Sequence, residues 1–184
     1  MSPMNQNYVR IKLRKNQSTL PVEKLNDQIT NLEILGDSIE TLPSLEHLHA
    51  CESLMIICPE LGDLPKLPPQ LKRLKLKKGG RIKGELPDTL VSLQISALRK
   101  SEDMAQLKLP ASLEVLDLSA NQLESVEFLQ FGTRIQRLNL DQNQLTTLPA
   151  SLYQLPDLLH LSLDGNPLLD EQRDKIYKKF GIWF

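Results

Sequence analysis

Residues 135–157 read IQRLNLDQNQLTTLPASLYQLPD, and the fold turns on how the leucines of this stretch are spaced around Asn143. Ile135, Leu138, Leu140, Leu145 and Leu148 follow neither a helical period nor a sustained alternation. Only the LxL portion alternates, which predicts a short strand with Leu138 and Leu140 inward and the residue between them outward. The chain must then turn beside the core, where a buried backbone group without a partner costs about 1–3 kcal/mol. The Asn143 side chain has both donors and an acceptor and can satisfy such groups. Leu145 and Leu148 bring the chain back inward, and Pro149 favours an extended or turning return over a regular helix.

The same unit recurs along the chain. Aligned on the opening hydrophobic position, it starts at Tyr8, Ile29, Cys51, Leu71, Leu90, Leu113, Ile135 and Leu158, with spacings of 21, 22, 20, 19, 23, 22 and 23 residues. A single coil cannot bury its own apolar face, so neighbours must stack and the ends need caps. Residues 1–7 are expected to be a tail, 8–169 the repeat domain and 170–184 a cap. In the cap, Leu169, Arg173, Ile176, Tyr177 and Phe180 are spaced as one helix face, with acids early, lysines late and Gly181 as the stop. The closing IWF is expected to add a last strand or to plug the exposed core. At the other end, the charged outer residues of YVRIKLRKN (8–16) are suited to guarding a sheet edge.

LEVLDLSANQLESV (113–126), IQRLNLDQNQLTTLP (135–149) and LLHLSLDGNPLL (158–169) match the pattern LxxLxLxxNxL. The chain therefore resembles leucine-rich repeat proteins from Tyr8 to Leu169. Asn121, Asn143 and Asn166 form the ladder of the last three units, whereas Pro59, Gly79 and Leu98 stand at that position in the middle. The resemblance implies an α/β, β-rich solenoid. It would be a right-handed superhelix of about eight repeats, with a parallel concave sheet and a C-terminal helical cap. The LPxLPxx endings of IETLPSLEHLHA (39–50) and CESLMIICPELGDLPKLPPQ (51–70) are similar to the short repeats of bacterial type III effectors. NPLLDEQRDKIYKKF (166–180) looks like the terminus of other bacterial and intracellular members. This resemblance implies a polypeptide-binding module, with a host-directed effector or the recognition part of a larger assembly as its forms.

Composition bounds the alternatives. The 184 residues carry 40% hydrophobic and only 4% aromatic side chains, so leucine must carry the packing. A formal charge of −1 opposes bulk attraction to nucleic acid or anionic membrane. Two cysteines are too few for a stapled secreted fold, which favours a reducing compartment. The start shows no apolar signal core, and LMII is far short of the roughly 20 residues of a membrane span. The expectation is a cytoplasmic monomer away from membranes, with delivery into a host cell without a cleaved signal as the second expectation.

The residues flanking the strand leucines face out from the concave side. Between the leucines these are Lys12, Glu33, Met55, Lys75, Gln94, Asp117, Asn139 and Ser162. Just after the second leucine they are Arg14, Leu35, Ile57, Lys77, Ser96, Ser119, Asp141 and Asp164. Leu35, Met55 and Ile57 are expected to form an exposed apolar patch beside Arg73, Lys75 and Lys77, with Asp117, Asn139, Asp141, His160 and Asp164 farther along. An apolar centre rimmed by charge suits a protein or peptide partner. The bland alternative is that these side chains pack under a loop or fill a solvated sheet. The run LKRLKLKKGGRIK (71–83) holds seven cations and no acid. Phosphate binding is a rival reading, but the run lacks aromatics for stacking bases. An acidic protein surface and a plain solvated stripe are the others.

No chemistry is expected. His47, His49, Cys51 and Cys58 are acceptable zinc ligands by type, but Cys51 takes an inward position and the histidines fall on the convex side. His160, Ser162 and Asp164 share a strand face, but residues two apart sit nearly 7 Å from each other, beyond the reach of a nucleophile and its base. Neither a phosphate loop nor a nucleophile elbow occurs. The expectation is a non-enzyme without metal or cofactor.

Overall fold

The computed structural model describes residues 7–98, 104 and 107–183. Eight short strands follow one another, one per coil: β1 (Tyr8–Lys12), β2 (Asn31–Leu35), β3 (Ser53–Ile57), β4 (Arg73–Lys77), β5 (Ser92–Ser96), β6 (Val115–Asp117), β7 (Arg137–Asn139) and β8 (His160–Ser162). They form one parallel sheet in unbroken chain order. The register sets like beside like, with Leu32 against Leu54, Leu54 against Leu74 and Leu74 against Leu93. Stacking turns each inward column into a continuous apolar wall.

Leu116, Leu118, Leu138 and Leu140 are fully buried. So are the unit openers Ile29, Cys51, Leu71, Leu90, Leu113 and Ile135. Opposite the sheet, Ile39, Leu45, Leu48, Leu123, Leu145 and Leu152 close the core. The convex returns are extended or bent, with short 3-10 segments at Val22–Lys24 and Ala150–Gln154. Pro149 is extended (φ −67°, ψ 148°) just before the second of these, as its ring and missing N–H favour.

The asparagine ladder works through side-chain bonds to backbone on neighbouring coils. Asn143 donates to the carbonyls of Leu118 (3.0 Å), Leu140 (2.8 Å) and Asp141 (3.2 Å), and accepts from the amides of Asn121 (3.1 Å) and Leu123 (3.0 Å). Asn121 and Asn166 do the same one coil to either side.

The structure corrects four sequence expectations. In the third coil the ladder slot belongs to Cys58 and not Pro59: the Cys58 thiol points at the Ile34 carbonyl (3.9 Å), as the Asn143 amide does at Leu118. In the first coil the register is shifted by two, since Arg10 lies beside Glu33 and Lys12 beside Leu35. Arg10 and Lys12 therefore take the places assigned to Lys12 and Arg14. Both frames keep the same side chains inward, because a slip of two residues preserves the alternation.

The last two corrections concern the cap. Helix α1 (Asp170–Phe180) ends at Gly181 in the left-handed conformation (φ 70°). Its buried residues are Gln172 and Ile176, while Leu169 and Tyr177 are exposed. Gln172 is drawn inward because its Oε1 accepts from the Tyr153 hydroxyl (3.0 Å) and the Leu148 amide (3.4 Å). Phe180 stacks on Tyr153. Ile182 and Trp183 form no strand; Ile182 packs against the core, as a plug would, whereas the Trp183 ring packs on Tyr177 at 3.9 Å, on the outside. Phe184 lies outside the described residues.

Candidate functional site

Alternation along each strand leaves three outward positions per coil. The first row of these is Tyr8, Asn31, Ser53, Arg73, Ser92, Val115, Arg137 and His160, which begin the eight strands. The middle row is Arg10, Glu33, Met55, Lys75, Gln94, Asp117, Asn139 and Ser162. The last row begins Lys12, Leu35, Ile57, Lys77 and Ser96, of which Ser96 is buried rather than presented, and Ser119, Asp141 and Asp164 continue it at the ends of the short strands.

Leu35, Met55 and Ile57 come together as neighbours on β2 and β3, half-buried by the side chains around them rather than standing free. A cavity of about 270 Å³ opens beside them, lined among others by Tyr8, Asn31, Glu33, Met55, Arg73 and Lys75. Tyr8, named from sequence as the opener of the first unit, is exposed rather than inward and pairs in register with the outward Asn31. The Tyr8 hydroxyl donates to Glu33, which holds the phenol above its usual range, and Glu33 also pairs with Arg10 (3.3 Å). The acid in this cavity is thus already neutralised.

The cations of the basic run divide by face. Lys72 pairs with Glu52 (2.7 Å), and Arg81 and Lys83 both pair with Asp63 (2.7 Å each). These partners hold the Glu52 and Asp63 carboxyls below their usual range. Arg73, Lys75 and Lys77, on the concave strand β4, have no ion-pair partner among the described residues. Arg73 adds only a weaker pull on Glu52. Three of the seven cations are spent on holding coils together, and the three on the concave strand are left over.

Farther along, the acids are partly engaged in shaping the turns. Asp117 accepts from the Ser119 amide (2.9 Å) and the Gln94 side chain (3.2 Å). Asp141 accepts from the Asp164 amide (2.8 Å), and Asn139 accepts from the Asp141 amide (2.9 Å). His160, Ser162 and Asp164 lie in a row on and just after β8, with no hydrogen bond joining them among the described residues.

His47 and His49 are exposed, whereas Cys51 and Cys58 are fully buried free thiols. Among the described residues no group of three potential ligands gathers. Burial pushes both thiols up to about 11, so they stay protonated and inert at neutral pH. Iodoacetamide at pH 8 is therefore expected to leave both unmodified in the folded protein and to alkylate both in urea. Labelling of Cys58 in the folded state, read by mass spectrometry, would contradict its place in the ladder.

A parallel one-strand-per-coil sheet, leucines inward and an asparagine ladder at the turn define a leucine-rich repeat solenoid, a fold that generally serves as a protein-protein interaction module. The "Leucine rich repeat" family model matches residues 111–168. Lumican of Oryctolagus cuniculus is 31% identical over 145 residues, covering 77% of this chain and 74% of that sequence. Lumican of Rattus norvegicus is 30% identical over 174 residues, 86% of this chain and 51% of the other. The chain belongs to the leucine-rich repeat family. It spans about half the length of the rat protein it matches.

Among solved structures, an internalin of Listeria monocytogenes aligns with TM-score 0.62 at 20% identity, covering 89% of this chain and 49% of that one, a likeness of fold. The leucine-rich effector YopM of Yersinia pestis aligns with TM-score 0.53 at 26% identity, covering 76% and 40%. Among the described residues no helix is long and apolar enough to cross a membrane.

Proposed function

We propose that this chain is a non-enzymatic module that holds a polypeptide partner on its concave face, centred on the second to fourth coils. One observation carries the reading: Leu35, Met55 and Ile57 lie next to Arg73, Lys75 and Lys77, which have no ion-pair partner among the described residues, on a sheet face that no described segment of the chain covers. Apolar contacts bounded by unspent charge are what a protein-binding surface needs for affinity and for orientation. Nucleic acid is a weaker fit, because the cations sit beside aliphatic side chains and lack stacking aromatics.

A second reading is an effector acting on a host protein. It is favoured by the LPxLPxx endings and by the likeness to the Yersinia effector, while the lumican relatives are animal proteins. Affinity capture from bacterial and from eukaryotic lysates, run beside a Met55→Ser/Ile57→Ser/Lys75→Glu variant, tests both readings. The expected result is a polypeptide retained by the wild type and lost by the folded variant, and the lysate that supplies it chooses between an endogenous and a host role. Equal retention by the two proteins would remove the concave site.

A further inference from the structure

The last outward row of the concave face reads, coil by coil, Lys12, Leu35, Ile57, Lys77, Ser96, Ser119, Asp141 and Asp164. Beyond Lys12 it runs from apolar through basic and neutral to acidic along the solenoid axis. The middle row keeps the same order with Met55, Lys75, Gln94 and Asp117. The intramolecular pairs do not consume this pattern: Glu33 is the paired acid of the concave face, and Lys77 and Asp164 have no ion-pair partner among the described residues. Arg137 is the one cation of the acidic half and lies at the far end of its strand, in the first row.

We infer that the face reads the order of charge in its partner: it takes an extended polypeptide segment laid across the strands, apolar at one end, then acidic, then neutral, then basic. The inference rests on the polypeptide-binding reading above and specifies the partner of that same site. With strands about 4.8 Å apart, the six steps from Leu35 to Asp164 span about 29 Å, which roughly nine extended residues cover. Lys77 and Asp141 are three steps, or about 14 Å, apart, so about four residues separate the acidic from the basic part of the segment. Complementary charge favours this arrangement, and exchanging the two charged blocks would set like against like at both ends.

The test uses two fluorescein-labelled peptides of identical composition on the full chain. One carries two leucines, then glutamates, a Ser-Gly spacer and lysines; in the other the glutamate and lysine blocks are exchanged. Fluorescence anisotropy at low salt is expected to favour the first peptide by about tenfold or more, with the gap closing as salt rises. In a Lys75→Glu/Lys77→Glu/Asp164→Lys variant, which leaves a net −1 at both ends, the preference is expected to be lost. Asp164 is chosen because Asp117 and Asp141 hold turns, and circular dichroism checks that the variant is folded.

Equal binding of the two peptides, weakened for both by Met55→Ser/Ile57→Ser, would overturn the charge-order inference and leave the polypeptide-binding reading standing. Binding that ignores Met55 and Ile57, or no binding at all, would overturn both. A wild-type dimer in sedimentation that dissociates in the charge variant would assign the row to a second copy of the chain, and the inference would fall.

Discussion

Replacing Asn143 with alanine is expected to destabilise the domain by about 3–5 kcal/mol, the loss of several buried partners at about 1–3 kcal/mol each, partly offset by relaxation. The side chain is 4% exposed; its removal leaves the Asn121 and Leu123 amides without a partner and takes one of two donors from the carbonyls of Leu118, Leu140 and Asp141. Water reaches few of these groups, so the deficit is not made good by solvent. Against a total stability of about 5–15 kcal/mol for a domain, such a loss is a large fraction. Urea unfolding followed by circular dichroism measures it. Asn143→Asp is expected to be no better, since the carboxylate keeps the acceptor and loses all three donated bonds. A cost below about 1 kcal/mol for the alanine variant would mean that the ladder does not hold the turns together.

Gly79→Ala is expected to cost about 3 kcal/mol or more, at the upper end for overpacking in a rigid site. A Cβ at Gly79 would stand 2.1 Å from the Cys58 carbonyl oxygen and 3.2 Å from the Pro59 oxygen. Both obstacles are backbone, which cannot rotate aside as a side-chain end does, so the third and fourth coils would have to part. Gly84→Ala is the control: nothing lies within 4 Å of the added methyl, and its effect is expected to stay within about 0.5 kcal/mol. The damage has a functional side, because Gly79 closes the turn after Lys77 beside the coil that carries Ile57. Thermal unfolding of the two variants compares them directly, and equal melting temperatures would contradict the close approach of the coils.

The coils that carry Asn121, Asn143 and Asn166 were legible because the asparagine fixes the frame that leucines alone leave open. The first coil lacks that mark. Val9, Ile11 and Leu13 offer two frames that bury the same side chains, and only pairing with β2 chooses between them. Cys58 was not recognised as a ladder member, since the shorter third coil brings the slot one residue forward and a thiol donates only weakly. Gln172 escaped because helical periodicity ranks residues by hydropathy and is blind to a polar side chain drawn in by Tyr153 and Leu148.

On the concave face, Leu35, Met55, Ile57, Arg73, Lys75 and Lys77 were placed side by side by the repeat frame alone. Of the first row only Arg73 and His160 were named as site residues; Tyr8 and Asn31 were passed over, although the same alternation names them two residues before Arg10 and Glu33. Which cations are spent was not readable at all. The pairs of Lys72 with Glu52 and of Arg81 and Lys83 with Asp63 join residues 18 to 20 positions apart, on neighbouring coils. Only the stacked structure brings them within reach.

A serine scan through Leu54, Met55, Ile56 and Ile57, read as urea unfolding free energies, puts the account to its hardest test. Leu54 and Ile56 are at most 1% exposed, and their serine variants are expected to lose about 3 kcal/mol or more each, as large-to-small changes in a packed core do. Met55→Ser and Ile57→Ser are expected to lose about 1 kcal/mol or less, in keeping with outward positions. Four equal losses, or the larger losses at Met55 and Ile57, would show that these side chains belong to the interior and that the inner curve does not present them to a partner.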